Sequence, residues 1–155
     1  MDPNGTPICV RDAEPADFEG ILPLARALHD ASHYRAIPFD RESVMQTLHA
    51  CRSYGLLVIA EDEGTVVGVV GGVEYGFPSN HNVRLGTEVL WWVDPGYRSH
   101  GIGRRLLKGI ERRAHDLGLH TWTMTRLESV EPHMTDALYR SAGYTPRECL
   151  FSKEV

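Results

Sequence analysis

One segment constrains the fold of this chain more than any other. In it an apolar run ends at Val93, a Pro-Gly turn follows, and Gly101 and Gly103 open directly into a helical pattern. Apolar residues recur there at helical spacing, and Gly118 is typical of the position that ends a helix. A further apolar run follows over residues 120–125. The segment therefore predicts a strand–helix–strand unit with two parallel strands.

The other apolar patterns predict more strands and helices around this unit. Turn residues at 61–65 separate two apolar runs and predict an antiparallel hairpin. The predicted strands cover residues 8–11, 56–60, 66–75, 84–93, 120–125 and 149–152. The first predicted helix covers residues 18–28, and Pro23 is expected to kink or split it. The second begins after the capping residue Asp40 and reaches Cys51. The others cover residues 102–117 and 135–141, and Gly143 closes the last one. We therefore predict an α/β fold: a mixed, partly antiparallel central sheet flanked by helices on both faces.

Length and composition indicate one globular domain. The chain has 155 residues, of which 42% are hydrophobic and 24% charged. We assign residues 8–155 to that domain and residues 1–7 to a flexible N-terminal end. The net charge of -5 argues against a general nucleic-acid binder. No signal-like pattern or run of about 18 apolar residues is seen, which predicts a cytoplasmic protein without a membrane span.

The three cysteines, Cys9, Cys51 and Cys149, are widely spaced and form no CxxC motif. They predict neither a disulfide framework nor a zinc site, and we interpret them as small buried apolar residues. His29 and His33 lie four residues apart, but no third ligand accompanies them, so we predict no metal. A cysteine that carries an acyl group would need an activating partner, which the sequence does not show.

The glycine-bearing loop predicts an anion site. Its main-chain N–H groups and the positive end of the following helix point at one spot, and glycine lets a ligand approach closely. Arg98, Arg104 and Arg105 add positive charge. The loop lacks the Gly-Lys-Ser/Thr of a P-loop, and Leu106 stands where a dinucleotide fingerprint has its third glycine.

Two motifs point to a known family. The loop reads Arg98-Ser99-His100-Gly101-Ile102-Gly103 and resembles the Arg/Gln-x-x-Gly-x-Gly/Ala motif of the GCN5-related N-acetyltransferase (GNAT) family. Residues 137–144, Ala-Leu-Tyr-Arg-Ser-Ala-Gly-Tyr, resemble that family's Leu-Tyr-x-x-x-Gly-Phe/Tyr segment. The order of elements is also similar, and the run at 91–95 resembles small bacterial or phage members. A departure is Glu131-Pro132-His133, where the family often has an asparagine.

The resemblance implies the GNAT fold, acetyl-CoA as co-substrate, and acetyl transfer to a primary amine in a ternary complex. It implies that the main chain of Trp92 and Val93 bonds the pantetheine arm. It also implies a pyrophosphate site formed by Arg98, Ser99, His100, Gly101, Ile102, Gly103 and Arg104.

The reaction needs a base for the amine and an acid for the departing thiolate. The resemblance places Tyr139 near the thioester sulfur, and we predict that it is the acid. Glu88 is the predicted base, but it lies one residue out of register with the family's glutamate, so only a β-bulge would turn it into the site. Without a bulge it is a solvent-facing strand carboxylate. Glu74 and His133 are alternatives that would act through a water.

Other functions stay open at this stage. The chain could be a non-catalytic acyl-CoA-binding regulatory module, or a modifier that acylates a protein or aminoacyl-tRNA, although the acidic charge disfavours the tRNA. Residues 29–40, 76–82 and 130–134 are expected to set the acceptor, and their composition leaves small-molecule and protein amines open. A homodimer through an edge strand is also open.

Overall fold

The computed structural model describes residues 8–155, so the predicted flexible end at residues 1–7 lies outside it. Its core is one five-stranded sheet in the order β1-β2-β3-β4-β5. The first four strands pair antiparallel, and β4 pairs with β5 in parallel. The strands are β1 Cys9–Asp12, β2 Leu57–Asp62, β3 Thr65–Phe77, β4 Asn80–Val93 and β5 Thr121–Thr123. The predicted mixed α/β sheet is confirmed.

Helices cover both faces of this sheet, as predicted. The helices are α1 Phe18–Ala31, α2 Arg41–Ser53, α3 Ile102–Asp116 and α4 Pro132–Ser141, with short 3-10 helices at Pro15–Asp17 and Pro95–His100. One core joins α1 and α2 to one face, and a second core joins α3 to the other. None of the helices in residues 8–155 combines the length and the apolar character needed to cross a membrane.

The helix ends follow the local chemistry of the sequence. Asp40 caps α2, because its Oδ2 accepts a hydrogen bond from the Ser43 N–H at 2.7 Å. Gly118 has a φ of +69°, a left-handed conformation that glycine adopts readily after a helix. Pro23 does not split α1, which runs through it without a break. Pro23 lies in the second turn, where it removes one internal hydrogen bond, and buried Ile21 and Leu24 hold that turn against the sheet.

The predicted strand at 149–152 is wrong. Residues 144–155 contain no strand, and the side chains of Leu150 and Phe151 are exposed. A short apolar run becomes a strand only when a neighbouring edge accepts its main-chain hydrogen bonds, and β5 offers only three residues. The interpretation of the cysteines was also wrong for two of the three, since Cys9 and Cys149 are exposed and only Cys51 is buried.

The sheet splits between β4 and β5. The parallel pairing joins Leu85–Thr87 to Thr121–Thr123 and goes no further, so within residues 8–155 no strand pairs with the second half of β4 on that side. Within β4 the register to β3 shifts at Val89, because Gly71 pairs with Leu90 and Gly72 with Glu88. This is a β-bulge, which bends the strand and turns its side chains. The split and the bulge together create the opening that the site occupies.

Candidate functional site

Two adjoining cavities lie beside the second half of β4. The larger, of about 600 Å³, lies between the sheet and the ends of α1 and α2. The smaller, of about 300 Å³, lies between the end of β4, the start of α3 and α4. Both are lined by Trp91, Trp92, Val130 and Thr135, so the two cavities meet at the split.

The smaller cavity ends at the glycine loop. Gly101 is the N-cap of α3, with a φ of +70°, and no side chain caps the helix there. A side chain built on Gly101 would meet nothing within 4 Å, so the space above the loop is open. The first N–H groups of a helix have no partner inside it, and the helix dipole adds positive potential. The loop therefore fits a diphosphate.

The predicted loop residues divide into two groups. Arg98, Gly101, Gly103 and Arg104 line the smaller cavity. Ser99, His100 and Ile102 do not line it. The Ser99 and His100 side chains are exposed and contact each other, with the Oγ and Nδ1 atoms 3.3 Å apart. The Ile102 side chain is fully buried in the core beneath α3.

Arg98 is held in place by three neighbours. Its Nε donates to the Val93 carbonyl at 3.2 Å, and a terminal nitrogen donates to Glu131 at 3.0 Å. Its guanidinium lies 4.6 Å from the centre of the Trp92 ring. Arg98 therefore turns inward along the cavity, and Glu131 already balances part of its charge.

The open edge of β4 exposes the main chain of Trp91 and Val93. The Asp94 N–H donates to the Val67 carbonyl on β3 at 2.9 Å. Main-chain groups of successive strand residues point to opposite edges, so Trp92 faces β3 while Trp91 and Val93 face the split. The main chain of Trp92, for which a pantetheine contact is predicted, therefore faces β3, and Trp91 takes the position on the open edge. Val93, the other residue predicted for this contact, faces the open edge, where its carbonyl also accepts the hydrogen bond from Arg98.

Glu88 reaches across the split. The bulge at Val89 shifts the register of β4, as the position of Glu88 in the strand required, and turns the Glu88 side chain toward the split. That side chain is half-buried and lines the larger cavity. One carboxylate oxygen accepts a hydrogen bond from the Thr125 N–H at 3.2 Å. Burial raises the pKa of Glu88 to about 7, and the Thr125 hydrogen bond opposes that rise. A carboxyl with this pKa can take up and release a proton near neutral pH.

Tyr139 lies on α4 and contacts Thr125, the residue that also bonds Glu88. Its hydroxyl donates to the Thr125 carbonyl at 2.7 Å, and its ring stacks on Trp91 with centroids 5.3 Å apart. The residue is 8% exposed and does not line either cavity. Burial raises its pKa well above the usual range, and the nearby Glu88 charge adds to the rise.

Sequence reasoning missed Thr125. Its N–H holds Glu88 and its carbonyl holds Tyr139, so one residue joins the two predicted catalytic groups. Both of these hydrogen bonds use the main chain, which leaves no signature in the residue type, and the Thr125 side chain adds a further interaction that lowers the pKa of Glu88. The one available signal was its position, at the end of the predicted strand beyond α3.

The alternative bases and nucleophiles lie elsewhere. Glu74 pairs with Arg84 at 3.0 Å, and His133 is exposed on the first turn of α4, so neither lines a cavity. Burial raises the pKa of Cys51 to about 12, which keeps its thiol protonated. Within residues 8–155 no group of three His, Cys, Asp or Glu side chains could hold a metal ion. The ring of His29, one of the two histidines considered as a metal pair, packs edge-on against Phe39.

Comparison with known proteins places the geometry in a family. Residues 22–144 match the Acetyltransferase (GNAT) family. A solved structure of similar fold is a predicted acetyltransferase with acetyl-CoA from Clostridium acetobutylicum, with a TM-score of 0.72, 18% identity and 96% of each chain covered. At that identity the likeness concerns the fold.

Two curated proteins are similar in sequence. An uncharacterised protein of Mycobacterium leprae is 30% identical over 139 residues, which cover 89% of this chain and 34% of that protein. Mycothiol acetyltransferase of Thermobifida fusca is 27% identical over 146 residues, which cover 91% of this chain and 41% of that protein. The chain thus spans between a third and about two fifths of the length of the curated relatives it matches. The family match, the split sheet and the glycine loop at the start of α3 agree, and the chain belongs to the GNAT acetyltransferase family.

Proposed function

We propose that this chain transfers an acetyl group from acetyl-CoA to a primary amine by direct attack in a ternary complex. The observation that carries the proposal is the meeting of two cavities at the split in the sheet, one ending at the Gly101 loop and the other containing Glu88. One cavity suits a diphosphate and the other an acceptor beside a titratable carboxyl. Residues 8–155 act as one catalytic domain in this proposal.

The smaller cavity would hold acetyl-CoA. The N–H groups at the start of α3 would bind the diphosphate, with Arg98 and Arg104 adding positive charge. The pantetheine arm would lie along the open edge of β4 and bond the main chain of Val93 and Trp91 as an added strand does. This alignment aims the thioester at the bulge, where the two cavities join.

Glu88 would act as the base. Only a neutral amine attacks a thioester, and a free alkylamine is mostly protonated near neutral pH. The carboxylate of Glu88 would remove the proton, directly or through one water. Attack builds negative charge on the thioester oxygen, and the Trp91 N–H on the open edge is a donor available to it.

Tyr139 would act as the acid. Its phenol is protonated at neutral pH and would give a proton to the departing thiolate, although the raised pKa makes it a weaker acid than a free tyrosine. The hydroxyl is engaged with the Thr125 carbonyl. To reach the sulfur it must exchange that hydrogen bond for one to the thiolate.

The test combines turnover and kinetics. Purified protein with acetyl-CoA and a panel of primary amines should release free CoA thiol only when an amine is present. Initial rates should follow a sequential pattern, because both substrates must be bound before transfer. A ping-pong pattern would contradict direct attack.

A non-catalytic acyl-CoA-binding module is the second candidate. It is favoured by one observation, that the Tyr139 hydroxyl is bonded to Thr125 and does not line a cavity. Calorimetry separates the two functions. Tight binding of acetyl-CoA with no thiol release from any amine, and no effect of Tyr139→Phe, would support the module.

A further inference from the structure

The walls of the larger cavity carry no positive side chain of lysine or arginine among the residues that the structure describes. Much of its surface is apolar. Tyr34 and Ile37 line it while 52% and 58% exposed, so its rim presents apolar surface that a bound molecule would cover. The other principal apolar walls are Leu28, Phe39, Val44, Leu127 and Val130.

The charged groups that line this cavity are both acids. Asp40 lines the cavity at the start of α2, where hydrogen bonds from Ser43 hold its pKa below the usual range. It is therefore ionised at neutral pH. Glu88 lines the cavity from β4, at the split. His29 is the other titratable side chain of the lining besides Tyr34, and its ring packs against Phe39.

Three of the nearby arginines contact other partners. The Arg26 guanidinium lies over the Phe39 ring, 3.9 Å from its centre. Arg98 donates to Glu131 at 3.0 Å, and Arg126 to Asp136 at 3.2 Å. Arg35 follows Tyr34 at the rim and does not line the cavity.

We infer that the acceptor is a primary amine on an apolar, uncharged body, and not an amine that also carries a carboxylate or a phosphate. The inference rests on the proposed function and names its substrate class. An anionic group bound in this cavity would lose part of its hydration without meeting a lysine or arginine of the lining, which is unfavourable, and the ionised Asp40 would repel it. An aromatic or branched aliphatic body would instead cover the apolar walls. The ammonium group of such an acceptor would be attracted to the carboxylates of Asp40 and Glu88.

The experiment compares matched amines with acetyl-CoA. Tryptamine and tryptophan differ by one carboxylate, and tryptophanamide keeps the bulk of that substituent without its charge. Glucosamine and glucosamine-6-phosphate test a polar body without and with an anion. Rates are expressed per fraction of neutral amine, because the substituents change the pKa of each amine.

We expect kcat/KM for tryptamine and tryptophanamide to exceed that for tryptophan at least about tenfold. Among the three acceptors without an anionic group, glucosamine should have the lowest kcat/KM. A kcat/KM for tryptophan equal to or above that for tryptamine, or for glucosamine-6-phosphate equal to or above that for glucosamine, would overturn the inference. The acetyltransferase function would then still stand. Failure of every amine, with acetyl-CoA still bound in calorimetry, would overturn the proposed function and the inference with it.

A charge placed in the cavity gives a second measurement. Thr47 is an exposed residue of α2 that lines the cavity. Thr47→Lys should raise kcat/KM for tryptophan relative to tryptamine about tenfold, while Thr47→Gln, of similar length but neutral, should leave that ratio unchanged. An Arg35→Gln variant that abolished tryptophan use would assign anion recognition to the rim and overturn the inference.

Discussion

At the scale of single residues, the site depends on Thr125. Its N–H bonds the Glu88 carboxylate and its carbonyl bonds the Tyr139 hydroxyl, so the two titratable side chains are linked through one residue. The Glu88 charge also contributes to the raised pKa of Tyr139. A change in the protonation of one group will therefore be felt by the other.

The first prediction concerns Glu88 as a base. We expect Glu88→Gln to lower kcat/KM by about 10²–10⁴-fold, because general-base catalysis supplies a factor of that size. The wild-type profile should rise as the pH increases through about 7, where the carboxyl ionises, and the variant should lose this rise. Unchanged affinity for acetyl-CoA in calorimetry is the control. A variant that keeps both rate and profile would remove Glu88 from the mechanism.

The second prediction concerns stability. The folded-state pKa of Glu88 is raised to about 7, above the ordinary value of about 4.3 in the unfolded chain. The unfolded state therefore loses its proton first, and the free energy of unfolding should fall as the pH rises from about 4 to 7. Urea unfolding should show Glu88→Gln more stable than the wild type at pH 8 by about 1–2 kcal/mol, with the gain absent near pH 4. An equal gain at both values would contradict the raised pKa.

The third prediction concerns Tyr139. Replacing it with phenylalanine removes the proton donor and leaves the Thr125 carbonyl without its partner. We expect kcat to fall at least about tenfold with KM for acetyl-CoA little changed, and stability to fall by about 1–2 kcal/mol. Tyr75→Phe, at an exposed position on β3, is the control and should alter neither quantity. A loss of stability alone would assign Tyr139 a packing role.

At the scale of elements, the site is built by the end of one strand and the start of one helix. The bulge at Val89 turns Glu88 into the larger cavity, and the split frees the edge of β4 beyond Thr87. The 3-10 turn Pro95–His100 then carries the chain to Gly101, whose left-handed conformation starts α3. Each step is local in sequence, yet all of them converge on the same opening.

The fourth prediction separates binding from backbone strain. Gly101 and Gly118 have nearly the same φ, +70° and +69°, and a side chain added at either would meet nothing within 4 Å. Alanine at each should therefore cost about 1–2 kcal/mol of stability, because a left-handed conformation disfavours a Cβ atom. Only Gly101→Ala should weaken acetyl-CoA binding in calorimetry, since only that glycine lines the smaller cavity. Equal losses of affinity in the two variants would mean that the loop binds no diphosphate.

At the scale of the whole molecule, the cavity in which we propose that acetyl-CoA binds joins parts that are distant in the chain. The smaller cavity is lined by β4, by the loop before α3 and by α4 residues such as Leu138. A ligand that fills it contacts both sides of the split sheet. Binding should therefore stabilise the domain as a unit.

The fifth prediction follows from this linkage. A ligand at 100 times its dissociation constant adds about 2.7 kcal/mol to the stability of the state that binds it. For a domain of this size we expect acetyl-CoA to raise the Tm by roughly 5–10 °C in calorimetric scans. Gly101→Ala should show a smaller rise at the same concentration, and Gly118→Ala the full rise. No rise in the wild-type protein would contradict the cofactor site.

The sequence alone was sufficient for most of the architecture and for the position of the glycine loop before α3. The order of nine elements, the cap at Asp40 and the glycine that starts α3 follow from patterns within a few residues of each position. Such patterns report local hydrogen bonding and which face of an element is buried, and both are encoded nearby. The need for a bulge beside Glu88 could also be predicted, because the family resemblance places Glu88 one residue out of register and a strand alternates with a period of two.

The tertiary structure decided what depends on distant partners. The run at 149–152 forms no strand, because a strand needs a paired neighbour and β5 offers only three residues to it. Cys9 and Cys149 are exposed because no other part of residues 8–155 packs over them. The open edge of β4 presents Trp91 in place of Trp92, since β3 takes the main-chain groups of alternate residues. The peptide groups of Thr125 bond Glu88 and Tyr139, and their position is set by the divergence of β5 from β4. Main-chain groups are the same in every residue type, so only their placement in space gives them a role.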